Sequence, residues 1–426
     1  MRSRYGVEGR LSSAKLLARQ QDGTVLVQLP LPMVGVMVDV QAEVEQFAAQ
    51  CGLALMEACI ESEVERIAGA RHERIPEREA WRGGKTQGWA YFAGRKVALR
   101  RQRVRGKGGE RALSSVAAFH QDGRMQRAVA GKVLAGVKMR RYERCLDDLC
   151  EGYGVKRSSI SRHWVGASAR ALRELAERAL GELGLAVLVI DGVRFREVCV
   201  VVALGVDYKG YKHVLGIYAG ATENAATCQG LLDDLIRRGL DPKGKYLFVI
   251  DGSKALRAAI RDTFGPQALV QRCQVHKKRN VRDHLPKSYH RALSLRLSAA
   301  WKMKSYADAR AELDKTLRWL EDLSPSAAES LREGMEETLT LHRLDVPPSL
   351  RRSLSSTNLI ESCFSTTRER VRSVKRWRGE AQVMRWAGTM LVEAEKGFRR
   401  VQGYGALPVL LSKLGISGVD DKEAAA

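Results

Sequence analysis

The chain has 426 residues, 45% of them hydrophobic, which is enough to build more than one domain around buried cores and argues against a disordered chain. Its 72 lysines and arginines against 49 aspartates and glutamates give a formal charge of +23, which favours nucleic acid as a partner. On charge alone, a ribosome-associated or merely basic soluble protein is the alternative.

The sequence carries no pattern of an exported or membrane protein. Its eight cysteines include no CxxC pair and are expected to stay reduced. The N-terminus lacks the apolar core of a signal peptide, and the apolar run at residues 29–38 is interrupted by two prolines and is too short to span a bilayer. We therefore expect a cytoplasmic protein with no membrane partner.

The N-terminal third is predicted to hold two strands, a long helix and a hairpin. The strands are expected around Val25–Leu29 and Val34–Val40, and the helix from Val40 to about Arg71, where breakers are few and apolar positions recur. Glycines among aromatic and β-branched residues predict a hairpin over residues 89–106, with its turn near Ala93–Gly94.

The second strand of this hairpin is strongly cationic. Its basic side chains are Arg95, Lys96, Arg100, Arg101, Arg103 and Arg105. Two interpretations stay open. The last four arginines can contact DNA phosphates, or the charges only protect an exposed edge strand from aggregation.

A helix-turn-helix motif is predicted within residues 133–180. Leu146 and Leu149 give the first helix an apolar face, and the pair Ser158-Ser159 can cap the second helix. The start of the second helix enters the major groove in helix-turn-helix proteins. The side chains that this start offers are Lys156, Arg157, Ser159 and Arg162. Helical hairpins that never touch DNA share the pattern, so the alternative of a purely structural hairpin stays open.

From residue 185 the pattern becomes that of an α/β domain. Three apolar, β-branched runs predict an antiparallel meander over residues 185–195, 197–207 and 212–220. The elements that follow are a helix stopped by Gly239, a strand within 245–253, a helix over Lys254–Phe264 and a strand over 268–275. This is the order of a ribonuclease-H-like core. Beyond His276 the chain is predicted to be helical up to Pro347-Pro348, which would make that segment an insertion.

Two apolar strands end in nearly the same letters, VLVIDG with Asp191 and LFVIDG with Asp251. The likeness predicts equivalent places on neighbouring strands. Converging carboxylates repel each other unless a cation holds them, and hard oxygen donors select Mg²⁺. The alternative is that each Asp-Gly pair is an ordinary strand-ending turn. Two such pairs in a basic chain with this strand order favour the metal site.

A third carboxylate is expected on the helix after the insertion, residues 355–377. The apolar stripe of this helix is formed by Ile360, Cys363, Phe364, Thr367, Val371 and Val374. Glu361 lies one step from the stripe, and the cations on the same flank are Arg368, Arg372 and Lys375. That flank suits a metal ligand beside a phosphate track. Asn358 and Glu361 also fit a helix-capping box, and the segment alone favours the cap.

Six ordered strings resemble the bacterial Mutator-type transposases of the insertion-sequence 256 (IS256) family, and they lie within residues 150–400. The strings are IDG at Asp191, GATEN at 220–224, LLDDLIRRGL at 231–240, VIDGSKALRAAI at 249–260, QRCQVHKKRNV at 271–281 and STNLIES at 356–362. The resemblance implies that Asp191, Asp251 and Glu361 form an acidic triad that holds two Mg²⁺ ions, for which Mn²⁺ can substitute.

The resemblance also gives Cys273 and His276 a place as the family's C-x-x-H motif, whose role stays uncertain. Two such ligands cannot close a tetrahedral zinc site, so we expect an architectural or DNA-proximal pair, or a satisfied core pair. The basic run Lys277, Lys278 and Arg279 that follows is expected to meet phosphate.

Together these observations predict a DNA transposase of the DDE type, which cleaves and transfers strands at the terminal inverted repeats of an insertion sequence. The partners are double-stranded DNA, both element ends and target, and a second copy of the chain on that DNA, in a bacterial cytoplasm at the nucleoid. The rivals are a ribonuclease-H-like nuclease or junction resolvase, and a DNA-binding regulator with inactive carboxylates. Retention of all three acids argues against the regulator.

The predicted architecture is an α/β, ribonuclease-H-like catalytic core interrupted by an all-α insertion and preceded by DNA-binding regions. Its parts are an N-terminal region with the hairpin at 1–132, the helix-turn-helix at 133–180, the first part of the core at 181–275, the insertion at 276–354, the last part of the core at 355–400 and a tail at 401–426.

Overall fold

The computed structural model describes residues 17–21, 24–28, 40–142, 145, 152–153, 156–195, 197–220, 222, 224–371, 374 and 377–416. By its internal contacts the chain divides into two compact units, Met1–Ala167 and Ser168–Ala426. Within the described ranges, no helix is both long enough and apolar enough to cross a membrane.

The first unit combines a long helix with an antiparallel sheet. Its elements are β1 (Leu17–Gln21), β2 (Thr24–Gln28), α1 (Val40–Ala68), β3 (Ala80–Phe92), β4 (Arg95–Gly106), β5 (Gly109–Arg111), α2 (Ser114–Phe119), α3 (Asp122–Leu134), a 3₁₀ turn at Met139–Arg141, β6 (Gly152–Tyr153) and the first part of α4 (Arg157–Glu177). Of the two strands predicted at the N-terminus, the first overlaps β2, and most of the second lies outside the described residues.

The predicted hairpin is confirmed as β3 and β4, joined by a turn at Ala93 and Gly94, where both residues have positive φ. Strand β3 begins at Ala80 rather than near residue 89. A register shift between Arg82 and Lys85, at the two glycines Gly83 and Gly84, breaks the alternation by which strands are recognised in sequence.

One buried glutamate ties helix α1 to helix α2. The Glu63 carboxylate accepts four hydrogen bonds, from the backbone N–H groups and the hydroxyls of Ser114 and Ser115. These donors lie at the start of α2, where N–H groups have no partner within the helix. Burial alone would raise the pKa of Glu63, but these hydrogen bonds lower it to about 2.

The second unit is a mixed α/β structure. Its elements after α4 are β7 (Leu185–Phe195), β8 (Val198–Asp207), β9 (Lys212–Gly220), α5 (Ala225–Arg237), β10 (Leu247–Ile250), α6 (Lys254–Phe264), β11 (Leu269–Arg272), α7 (Gln274–Asp283), α8 (His290–Lys302), α9 (Tyr306–Leu323), α10 (Pro325–Arg332), α11 (Thr340–Arg343), α12 (Pro348–Leu354), α13 (Asn358–Val371), α14 (Glu380–Glu395) and α15 (Leu407–Leu414).

These strands form one five-stranded sheet in the order β11-β10-β7-β8-β9. The pairs β10–β7 and β10–β11 are parallel, whereas β7, β8 and β9 form the antiparallel meander that the sequence predicts. The middle segments of β7, β8, β9 and β10 are apolar because both faces of the sheet are covered. Val187 and Val189 pack toward helices α13, α14 and α15, and Leu188 and Ile190 toward α5 and α6. This arrangement is consistent with a ribonuclease-H-like core.

A buried arginine joins three elements beside this sheet. The Arg238 guanidinium donates to the carbonyl oxygens of Leu175 on α4 (3.1 Å), Arg178 (3.3 Å) and Leu215 on β9 (2.6 Å), and to Asp234 on α5 (3.0 Å). Leu215 has no partner in the ladder between β8 and β9, because the register shifts there. Arg238 therefore satisfies a carbonyl that the sheet leaves unpaired.

The predicted all-α segment contains no strand between residues 276 and 354, a range that the structure describes throughout. Leucines of α8, α9 and α10, among them Leu293, Leu313 and Leu331, form a separate core. The last helices pack on the sheet instead, through residues such as Leu350. The segment leaves and re-enters the core at one point, since the Gln274 N–H donates to the Ser355 carbonyl oxygen (2.9 Å).

Candidate active site

The two strand aspartates occupy equivalent positions on neighbouring parallel strands. The register of β7 and β10 pairs Ile190 with Ile250, and the next residue on each strand is Asp191 or Asp251. Strand β10 ends at this point, as predicted. Strand β7 does not, because it stays paired with β8 as far as Phe195, so Asp191 is not part of a strand-ending turn. Its side chain is 5% exposed.

The loop after Asp251 is fixed by hydrogen bonds within it. The Ser253 N–H donates to Asp251 Oδ1 (2.9 Å), and Ser253 Oγ accepts from the Leu256 N–H at the start of α6 (3.3 Å). Gly252 between them has φ +109°, a conformation that other residues rarely adopt. The orientation of the Asp251 carboxylate therefore depends on the conformation of this loop.

Glu361 and His276 bring further ligand atoms to Asp191. The three residues each offer a ligand atom, and these atoms lie within 4.8 Å of one another. His276 is in the first turn of α7, and its Nε2 lies 3.8 Å from Glu361 Oε1. The Asn358 N–H, which a capping box would pair with Glu361, donates to Ser356 Oγ instead (3.5 Å). This contact argues against the capping box, and the role of Glu361 as a metal ligand stays a prediction.

Cys273 and Thr357 lie on the buried side of the group formed by Asp191, His276 and Glu361. The Cys273 sulfur accepts from the backbone N–H groups of His276 and Thr357, each at 3.5 Å, which links the starts of α7 and α13. Thr357 Oγ1 lies 3.4 Å from His276 Nδ1 and 3.7 Å from the Cys273 sulfur, and the Thr357 hydroxyl acts to lower the pKa of Asp191. Thr357 is not among the site residues predicted from the sequence, although a threonine just before a predicted helix start indicates a residue with a bonded hydroxyl.

Burial and neighbouring charge change the acidity of this group. Burial, reinforced by the charge of Asp251, raises the pKa of Asp191 to about 6, against the opposing hydrogen bond from Thr357. The hydrogen bond with Cys273 raises the pKa of His276 to about 9, and the charges of Asp191 and Asp251 add to this. Burial thus dominates the shift of Asp191 and the contact with Cys273 that of His276, with neighbouring negative charge adding to both.

This donor set fits a divalent cation. A buried carboxylate beside a second one is relieved by a positive ion, and two or three carboxylates with one imidazole are ligands that Mg²⁺, Mn²⁺ and related ions accept. Asp191, Glu361 and His276 already converge, and Asp251 follows on the neighbouring strand. Cation binding to His276 would displace a proton from its ring.

Comparison with known proteins identifies the family. The family described as "Transposase, Mutator family" matches residues 37–401. The chain belongs to the Mutator family of transposases. It is thus an enzyme that acts on DNA, and the DDE chemistry of such transposases implies a divalent metal.

Transposases of bacterial insertion sequences are similar over most of their length. This transposase is 28% identical over 367 residues to that of ISRM5 from Rhizobium meliloti, which covers 82% of this chain and 88% of the relative. It is 29% identical over 318 residues to that of IS1081 from Mycobacterium tuberculosis, covering 72% and 71%. The transposase of IS256 in transposon Tn4001 from Staphylococcus aureus is 25% identical over 347 residues, covering 77% and 85%.

The cations predicted on the helix-turn-helix surround the start of α4. The helix begins at Arg157, one residue before the predicted serine cap, so Ser158 and Ser159 lie within its first turn. The side chains of Lys156, Arg157 and Arg162 are exposed, whereas Ser159 is half-buried. The first helix of the predicted motif, near Leu146 and Leu149, lies outside the described residues.

The hairpin arginines differ in exposure. Arg100 and Arg105 are exposed, and Arg101 and Arg103 are half-buried. Arg101 faces Glu110 on β5 at 3.6 Å. The first pair remains available to a polyanion, and Arg101 already has an acidic neighbour.

The three basic residues after His276 lie on different faces of α7 and therefore differ in exposure. Arg279 is exposed and Lys278 is half-buried, and their contact with phosphate stays a prediction. Lys277 is fully buried, and its ammonium donates to the carbonyl oxygens of Ser330 and Glu333 at the end of α10. The expectation that Lys277 meets phosphate is therefore corrected, since its charge is used inside the fold. Of the cations predicted on α13, the Arg368 side chain, Arg372 and Lys375 lie outside the described residues.

Proposed function

We propose that this transposase uses Asp191, Asp251 and Glu361 to hold two Mg²⁺ or Mn²⁺ ions, and that it cleaves and joins DNA strands at the terminal inverted repeats of its insertion sequence. The observation that carries the proposal is the convergence of Asp191, Glu361 and His276, which come from a strand and two helices far apart in the sequence. Asp251 follows on the adjacent strand.

Each residue has a role that follows from its surroundings. Asp191 is buried and oriented by Thr357, so it presents a fixed carboxylate in a dry part of the site. Glu361 is half-buried and faces His276 at the open side, where a phosphodiester can approach. Divalent cations held by these groups would lower the pKa of an attacking water and offset the charge on the leaving oxygen.

The reaction we propose has two steps. In the first, water attacks a phosphodiester at the element end, the bond between phosphorus and O3′ breaks, and a 3′-hydroxyl and a 5′-phosphate result. In the second, that 3′-hydroxyl attacks a phosphodiester of the target, so that one bond between oxygen and phosphorus forms as another breaks. No covalent bond between protein and DNA is needed.

The basic surfaces provide for DNA binding in this proposal. Exposed Arg157, Arg162 and the hairpin arginines Arg100 and Arg105 suit the element ends, and Arg279 suits phosphates close to the site. Two ends must be processed together, which favours a homodimer on DNA at the bacterial nucleoid. In this layout residues 1–132 and 133–180 bind element ends, and residues 181–275 and 355–400 form the catalytic core around the helical insertion at 276–354.

The test uses purified full-length protein, Mg²⁺ and DNA labelled at an element end, with products resolved by length. Asp251→Asn should lose strand cleavage and joining by at least about a thousandfold, since a metal ligand is removed. Asp262→Asn, which changes an exposed carboxylate on α6, is the matched control and should cleave like the parent. Equal cleavage by all three proteins would refute the metal role. Cleavage without joining would instead support a ribonuclease-H-like nuclease.

A further inference from the structure

Arg272 lies directly against the loop that carries Asp251. It is the last residue of β11, where its backbone pairs with Ile250 just before that aspartate. Its guanidinium donates to the Gly252 carbonyl oxygen (3.2 Å), and a Cβ on Gly252 would overlap the guanidinium. The absence of a side chain at Gly252 therefore allows the arginine to pack flat on the peptide that follows Asp251.

The other side of Arg272 contacts the end of helix α10 in the helical insertion. The guanidinium donates to the Glu333 carbonyl oxygen (3.3 Å) and lies 3.1 Å from the Glu333 carboxylate. The buried Lys277 ammonium donates to the same carbonyl and to that of Ser330 (2.7 Å). The last carbonyls of a helix lack partners within it and attract cations. The end of α10 therefore meets two cations, Arg272 from the core strand β11 and Lys277 from α7.

This arrangement is costly for stability. The Arg272 side chain is 7% exposed, and among the described residues its Nε has no hydrogen-bond partner. Two buried cations share the single Glu333 carboxylate. An apolar side chain of similar volume would avoid the desolvation of such a charge, so a stabilising role does not account for it.

We propose that Arg272 is a positioning residue, which holds the Gly252 peptide to the end of α10 and thereby lets the helical insertion set the place of the Asp251 carboxylate. The connection is short. Asp251 is bound to the Ser253 N–H across Gly252, so a displaced Gly252 carbonyl turns the loop and its carboxylate together. The inference rests on the proposed function in one respect, namely that Asp251 is a metal ligand.

The experiment compares Arg272→Lys with Arg257→Lys in the full-length protein. Lysine keeps the charge but replaces the planar fork, whose two terminal nitrogens contact Gly252 and Glu333, with a single nitrogen on a flexible stem. Arg257 is a matched control because it also joins the core to the insertion, through Glu337 at 2.7 Å, and also has a buried nitrogen without a partner among the described residues. Circular dichroism establishes that each variant is folded.

The first measurement is hydrogen exchange of the Ser253 amide without metal, by mass spectrometry of overlapping peptides. Exchange should become about tenfold faster in Arg272→Lys and change less than about twofold in Arg257→Lys. The second measurement is the Kd of Mn²⁺ by calorimetry, which should rise about tenfold in Arg272→Lys and stay unchanged in Arg257→Lys. A loss of affinity of about tenfold is the lower end of what is found when a residue that orients a metal ligand is replaced.

Unchanged Ser253 exchange in Arg272→Lys, or equal effects in both variants, would overturn the proposal. If Arg272→Lys does not fold, Glu333→Ala removes the 43% exposed carboxylate that contacts Arg272 and Lys277. The proposal then requires faster Ser253 exchange in Glu333→Ala, and an unchanged Ser253 amide refutes it as well. The metal role is separated by Asp251→Asn. If this variant binds Mn²⁺ like the parent while Arg272→Lys speeds Ser253 exchange, the proposed function fails and the attachment of the loop to α10 stands.

Discussion

Replacing Arg238 by methionine should destabilise the second unit strongly, whereas the same change at the neighbouring Arg237 should not. Both guanidinium groups pair with Asp234, but the Arg238 side chain is 3% exposed and that of Arg237 is 66% exposed. Only Arg238 also donates to the carbonyl oxygens of Leu175 and Leu215. The two substitutions therefore separate a buried arginine from an exposed one at the same carboxylate.

The expected size follows from the groups left without partners. Each buried carbonyl that loses its donor costs about 1 to 3 kcal/mol, so two of them cost about 2 to 6 kcal/mol. The range for breaking a buried charged contact, about 3 to 5 kcal/mol, lies within this span and is the expected cost. At about 2 to 4 °C per kcal/mol for domains of about 150 to 250 residues, the thermal midpoint should fall by about 6 to 20 °C. The exposed Arg237 pair is worth at most about 1 kcal/mol.

The assay is thermal unfolding of the full-length parent and both variants at one protein concentration, followed by circular dichroism. The thermal midpoints of the two variants should differ by at least about 4 °C, which is a difference of about 2 kcal/mol at about 2 °C per kcal/mol. Equal midpoints for Arg238→Met and Arg237→Met would refute it, because the carbonyl contacts of Arg238 would then contribute nothing beyond an exposed ion pair.

Three further changes follow from the same contacts. Because the folded pKa of Glu63 is about 2, its carboxylate stabilises the first unit above pH 4.5, and this stabilisation is lost as the pH falls toward 2. The thermal midpoints of Glu63→Gln and the parent should therefore converge toward pH 2. A difference between them that stays constant with pH would contradict the prediction. Burial lowers the pKa of His342 from 6.5 to about 4, so the free energy of unfolding of the parent should fall by up to about 3 kcal/mol between pH 6.5 and 4, as measured by urea titration. His342→Gln should remove that fall. Parallel curves of unfolding free energy against pH for the two proteins would exclude this role of His342. Thr357→Val should slow cleavage at the element end about 10- to 100-fold, and Thr357→Ser should keep most of the parent rate because it keeps the hydroxyl. Parent-like rates in both variants would show that the hydroxyl is unimportant.

The strands of the second unit could be predicted closely because they are buried on both faces and read as continuous apolar runs. The place of Asp191 beside Asp251 followed from the likeness of two strand ends, since parallel strands align such positions. The length of β7 beyond Asp191 did not follow, because a glycine after an aspartate usually ends a strand, and pairing with β8 overrides that local preference.

Lys277 shows where a local pattern misleads. Three basic residues in a row indicate a solvated surface, yet Cys273, Lys277 and Val281 share one face of α7 and all are fully buried. The helical spacing was available in the sequence, but the carbonyls of α10 that accept from Lys277 were not. The meeting of His276 with Thr357 and Glu361 likewise depends on chain segments about eighty residues apart, which only the packed fold brings together.

The point where the helical insertion leaves and re-enters the core has an evolutionary consequence. Because Gln274 and Ser355 are hydrogen-bonded neighbours, the core closes on itself whatever the chain does between them. Doubling the length of a connecting loop adds only about 0.6 kcal/mol of closure cost. Helices there can therefore be lengthened or shortened at little closure cost, provided that the groups which tie the segment to the core are kept. These groups are the end of α10 for Arg272, Glu337 for Arg257, and His276 beside the carboxylates.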